Sequence, residues 1–124
     1  VMGLRVYVAS KWENKQRVQE IMYLLRQVGH TITYDWSMCE VSNRQQALLD
    51  LRGVADADVF VGIFEEEVAY KGALVELGAA LALGKPVYIL GDASTVRKCI
   101  FMKHPHIRRG EHAFVRDLLG GGSV

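Results

Sequence analysis

"DVFVGIFEEEVAYKGALVELGAALALGKPVYIL", residues 58–90, decides the fold. Its first seven residues, 58–64, are nearly continuous apolar residues, the pattern of a strand covered on both faces. The run from Gly72 to Gly84 is long enough for three helical turns and holds one charge, Glu76. Gly84 followed by Lys85 and Pro86 is a helix stop, and "VYIL" (87–90) reads as a further strand. A strand, a helix and a strand in that order form the crossover unit of a parallel sheet.

The same alternation extends to both sides. "LRVYVAS" (4–10) is a short β-branched and aromatic run. The Ser10-x-x-Glu13 spacing after it is that of a capping box, and Val18, Ile21, Met22, Leu25 and Val28 recur on one helix face up to a stop at Gly29. "TITYDW" (31–36) supplies the next strand. Ser42 opens a second Ser-x-x-Gln box, with Ala47, Leu48, Leu51 and Val54 as the buried stripe of its helix. Beyond residue 90, "CIFM" (99–102) reads as a fifth strand and "GEHAFVRDLL" (110–119) as a closing helix. The expectation is one α/β domain over residues 1–119, with a flexible tail over 120–124. Its sheet is flavodoxin-like, five parallel strands in the order 2-1-3-4-5 with helices on both faces.

Composition narrows the function. The 124 residues suffice for one core, and fifteen Lys/Arg against fourteen Asp/Glu leave a net charge of +1, without the positive field of a general nucleic-acid binder. Cys39 and Cys99 lack CxxC or metal-finger spacing, which fits reduced thiols packed in a cytoplasmic protein. The N-terminus reads as a strand and not as a signal peptide, and the longest uncharged apolar run falls short of a bilayer, so no membrane partner is expected. His104, His106 and His112 lie among basic residues, but His-x-His on a loop is too few ligands for a metal site. No P-loop, GxGxxG fingerprint or GxSxG elbow occurs, and no cofactor is expected.

In sheets of this order ligands bind outside the carboxyl ends of the strands, where strand order reverses. That places Ser10, Lys11 and Trp12 after the first strand, Asp35 and Trp36 after the second, and Glu65 to Lys71 after the third. Glu76 follows in the helix. Its face neighbours Gly72, Ala73, Ala79 and Ala80 are all small, which leaves room for a ligand beside the carboxylate. The spacing equally allows Glu76 to cap backbone groups or to pair with Lys71. Ser10 likewise suits either a helix cap or a bond to a sugar hydroxyl or 5′-phosphate, with Lys11 or Lys15 adding charge.

"RVYVAS", "ADADVFVGIF" and "GALVELGAALALGKPVYIL" together resemble the nucleoside 2-deoxyribosyltransferase family over about residues 4–90. The resemblance implies chemistry at the N-glycosidic bond of a nucleoside or its 5′-monophosphate, a small-molecule partner, no cofactor, and a homo-oligomer whose sites neighbouring chains complete. It assigns Glu76 as the nucleophile that forms a glycosyl ester, Tyr7 as the hydroxyl beside it, and Asp58 as a second carboxylate of the site. Asp58 stands at the entry of its strand, the end away from the ligand, where a structural role competes. Base-exchanging members commonly carry an aspartate six residues before the nucleophile, and this chain has Tyr70 there, a feature shared with nucleotide N-glycosidases in lacking that aspartate. Tyr70 and Gly72 are accordingly candidate substrate contacts. The alternative to an enzyme is a nucleotide-binding or sensor module of the same fold. "EEE" at 65–67 reads as a phosphate-repelling loop or a solvated turn.

Overall fold

The computed structural model describes residues 3–39 and 43–120. Ser42, read above as a cap, and residues 121–124 of the expected tail lie outside them. Among the described residues, strands β1 (Arg5–Ala9), β2 (Thr31–Ile32), β3 (Val59–Ile63), β4 (Val87–Leu90) and β5 (Ile107–Arg109) form one parallel sheet in the order β2-β1-β3-β4-β5. This is the flavodoxin-like order. Helices α1 (Lys15–Gln27) and α5 (Glu111–Leu118) cover one face, while α2 (Arg44–Asp56) and α3 (Lys71–Ala82) pack together on the other. The short α4 (Ser94–Arg97) follows β4.

The core follows from the apolar runs. β3 is buried along its whole length, as continuous apolar sequence requires when helices cover both faces. Val18, Ile21, Met22 and Leu25 of α1 are buried as their spacing predicts, and Gly29 turns the chain at φ 98°. Gly84 does the same after α3 at φ 75°. Lys85 then extends its ammonium to the carbonyl of Ala55 at the end of α2 (2.9 Å), a favourable cation at a helix C-terminus. No helix among the described residues is long and apolar enough to cross a membrane.

Four local expectations are corrected. Residues 99–102 form no strand: Ile100–Lys103 is a 3-10 turn whose Ile100 and Phe101 are exposed, and the edge strand is the arginine-bearing Ile107–Arg109. Strand composition did not decide there, because the ladder to β4 is made by the segment from His106 to Gly110. The second strand stops at Ile32, and Trp36–Met38 forms a 3-10 turn stapled by the Trp36 indole N–H to the Val8 carbonyl at 2.7 Å. Ser10 caps no helix, since its hydroxyl donates to the Ile63 carbonyl; a 3-10 turn, Trp12–Asn14, precedes α1. In α2 the buried residues are Gly53 and Val54, whereas Leu48 and Leu51 are exposed, and the described cap is Asn43. The buried face of α2 is the one that carries Gly53, which packs against the Tyr7 ring.

Candidate active site

Tyr7 lies in the middle of β1, fully buried, and its hydroxyl donates to Glu76 Oε2 at 2.9 Å. The two residues that the resemblance paired are therefore in contact, across 69 positions of sequence. Among the described residues no basic side chain pairs with Glu76. Its second neighbour is another acid, Asp50 of α2, whose carboxyl group is within hydrogen-bonding reach of the Glu76 carboxyl group.

Sequence reasoning missed Asp50, and Gly53 explains how it arrives. A Cβ on Gly53 would stand 2.9 Å from Tyr7 Cδ1 and 3.0 Å from Tyr34 Cβ, so only glycine lets α2 descend onto the Tyr7 ring. Thr33 Oγ1 donates to the Gly53 carbonyl at 2.7 Å and fixes that approach. Asp50, one turn earlier, shares the Gly53 face of the helix. Gly53→Ala is expected to lower stability by about 1–3 kcal/mol in urea denaturation, although alanine is the better helix former, because overpacking against a buried ring outweighs about 1 kcal/mol of propensity. A neutral or stabilising result would contradict the close approach.

The electrostatics follow from this packing. Burial raises the Glu76 carboxyl to about pH 8; the Tyr7 hydrogen bond opposes the shift and the like charge of Asp50 adds to it. Asp50 is raised as well, chiefly by burial, and among the described residues its buried Oδ1 has no hydrogen-bond partner. Two contacting carboxyl groups cannot both ionise cheaply, so near neutral pH the pair holds one proton. Burial and Glu76 push the Tyr7 phenol far above its ordinary value, which keeps it a donor.

Asp50 also lines a cleft of about 540 Å³ at the carboxyl ends of β1 and β3, together with Ser10, Lys11, Trp12, Ala69, Tyr70, Lys71, Gly72 and Ala73. Five of the expected contacts, Ser10, Lys11, Trp12, Tyr70 and Gly72, thus line one opening. Gly72 keeps it clear, since a Cβ there would meet nothing within 4 Å. α3 starts at Lys71 and its N-cap Tyr70 supplies no side-chain cap, so among the described residues the first N–H groups of the helix are left uncapped by that residue.

Two expected residues lie elsewhere. Asp58 sits at the amino end of β3, where it accepts from the Arg5 backbone N–H (2.9 Å) and guanidinium (3.0 Å), and the Arg5 hydrogen bonds lower its pKa. It joins two strand starts and does not meet Glu76. Asp35 accepts from the Ser37 N–H and hydroxyl and faces Arg26 at 3.5 Å, and it is not part of the cleft lining. The acidic loop is an exposed, solvated turn whose glutamates are not part of the cleft lining, and two of them are tethered. Glu65 is bound by Arg17, and Glu67 caps the backbone N–H and hydroxyl of Ser94.

A doubly wound parallel sheet with a carboxyl pair at the point of strand reversal defines an α/β domain built to receive a small molecule. Residues 6–108 match the family model for nucleoside 2-deoxyribosyltransferase, and the chain belongs to that family. Membership brings the general chemistry of cleavage or transfer at the N-glycosidic bond of nucleosides and nucleotides. A 2-deoxyribosyltransferase from Bacillus psychrosaccharolyticus is 29% identical, with 73% of this chain and 74% of that one covered at a TM-score of 0.59. The CMP N-glycosidase BcmB of Clostridium botulinum shares the fold, with a TM-score of 0.65 over 86% of this chain and 87% of that one at 23% identity. No curated protein sequence matches significantly.

Proposed function

We propose that the protein cleaves the N-glycosidic bond of a deoxynucleoside 5′-monophosphate through a glycosyl ester on Glu76. The observation that carries this reading is the contact of Tyr7 and Asp50 with Glu76 beside a cleft with a cationic mouth. Tyr7 holds one carboxyl oxygen of Glu76 and leaves the other for the sugar. The proton that Glu76 must shed to become a nucleophile passes to Asp50. Glu76 then forms a bond to C1′ as the C1′–N bond breaks, and the base leaves with the bonding electrons and collects the Asp50 proton, directly or through water. Water or a second base displaces the ester, its proton returns to Asp50, and the carboxylate of Glu76 is regenerated. One hard displacement becomes two easier ones.

Preference for the monophosphate rests on Lys11, Lys71 and the first N–H groups of α3, which together suit a phosphate. Lys71→Ala is expected to raise KM for a 5′-monophosphate by about tenfold, the loss of one charge-assisted contact, and to leave the free nucleoside unaffected. Equal effects on both would contradict the phosphate assignment. Chromatography of free base released from deoxynucleosides and their 5′-monophosphates tests the reading as a whole. Release from the monophosphates supports it, and absence of release from every one of them contradicts it.

A homo-oligomer is part of the proposal. Leu48 and Leu51 of α2, Val75 of α3 and Leu83 just after α3 are exposed on neighbouring helices, an apolar face that a second copy would cover. Sedimentation should show an assembly that Leu48→Glu weakens by at least tenfold in dissociation constant; a monomeric parent chain would refute it.

A further inference from the structure

Tyr70 closes the acidic loop and is 3% exposed, its ring set edge-on against Phe64 with centroids 4.9 Å apart. Its hydroxyl accepts from the Glu66 N–H at 3.0 Å and from Asn14 Nδ2 at 3.2 Å, and donates to the Glu66 carbonyl at 3.0 Å. One proton and two lone pairs are thereby all engaged. Asn14 Nδ2 also donates to Ser10 Oγ at 3.2 Å, and the Ser10 hydroxyl donates to the Ile63 carbonyl at 2.7 Å. A continuous chain therefore runs along one wall of the cleft, from the end of β3 through Ser10, Asn14 and Tyr70 to Glu66. Each proton these three side chains direct along it has an acceptor inside the protein, so a ligand oxygen meeting the wall is offered no hydroxyl proton.

The loop is fastened at its other side too. Glu67 holds Ser94, and Thr95 Oγ1 donates to the Val68 carbonyl at 3.1 Å. α3 begins at the residue after Tyr70, so the same fastening sets where Lys71, the first N–H groups of the helix and, further along, Glu76 stand.

We propose that Tyr70 is a positioning residue that pins the 65–70 loop to the ends of β1 and β3 and thereby places the start of α3, without contact to the nucleobase. The kinetic part rests on the cleavage reading above; the structural part does not. Tyr70→Phe keeps the ring and its packing and removes the hydroxyl. Amide exchange over residues 66–69 is expected to accelerate by about tenfold or more, as local opening becomes easier. KM for deoxynucleoside 5′-monophosphates should rise about five- to tenfold, with kcat within about twofold and the ranking of the four bases unchanged. Asn14→Ala, which leaves the phenol in place, should shift exchange and KM in the same direction by less. Unchanged exchange in Tyr70→Phe overturns the proposal, and so does a changed ranking of bases or a fall in kcat at constant KM, since either means that Tyr70 touches the reacting nucleotide. If the parent protein releases no base, the cleavage reading falls, while faster exchange still upholds the pin and unchanged exchange still removes it.

Discussion

Glu76→Gln is expected to lower kcat by about 10³-fold or more, because an amide cannot form the glycosyl ester. The amide has the shape of the carboxyl group, can accept from Tyr7 and can donate to Asp50, so the site keeps its geometry. Stability should move in the opposite direction. Glu76 binds its proton up to about pH 8 in the folded protein against an ordinary value of 4.5, so between those values the unfolded chain has lost a proton that the folded chain retains. The contribution of Glu76 to stability is therefore complete below pH 4.5 and is lost as pH rises through about 8, a change of a few kcal/mol. Glutamine has no such proton. The variant should gain in melting temperature over the parent as pH rises from 5 to 9, the usual trade between an active site and stability. Retained turnover, or a stability difference that does not change with pH, would contradict the role of Glu76.

Asp50→Asn should have the second largest effect. Removal of the proton acceptor is expected to reduce kcat by about 10²- to 10³-fold, the range of a general acid–base group. The pH profile separates this role from a structural one. In the parent the singly protonated pair is the active form, so kcat/KM should fall as the shared proton is lost, with a midpoint near 8. Asparagine holds no proton for the leaving base, and its amide donates to the Glu76 carboxylate, so in the variant the limb near 8 should be replaced by a rise at lower pH as Glu76 ionises. A lower rate with an unmoved limb would mean that Asp50 supports the fold and does not share a proton with Glu76.

Much of the frame was legible because its signals are local. The apolar run of β3, the Gly84 and Pro86 stop after α3 and the stripe of α1 each reflect short-range physics, and together they suffice for a parallel sheet in the observed order. Glu76 stood out as the lone charge in a run of small residues, and Tyr7 came with the resemblance. Asp50 did not, because it looked like an ordinary surface acid of a helix whose core face was assigned to Leu48 and Leu51. The available signal was Gly53 three residues on, a glycine inside a helix on the same face as the acid. The misplaced fifth strand has a similar origin. "CIFM" has strand composition, but hydrogen bonds to β4 are made by the less apolar segment after His106, a choice that tertiary contacts make. Asp58 was drawn to the site by resemblance, whereas its place at the start of β3 puts it at the opposite end of the sheet, against Arg5.

The central claim is a covalent bond between Glu76 and C1′, and a slow substrate makes it visible. Protein incubated with a 2-fluoro-arabinosyl nucleoside 5′-monophosphate should gain the mass of one sugar phosphate, localised after proteolysis to the peptide that contains Glu76 and absent from Glu76→Gln. Unmodified protein after base release has been detected, or an adduct carried by any other residue, would contradict it.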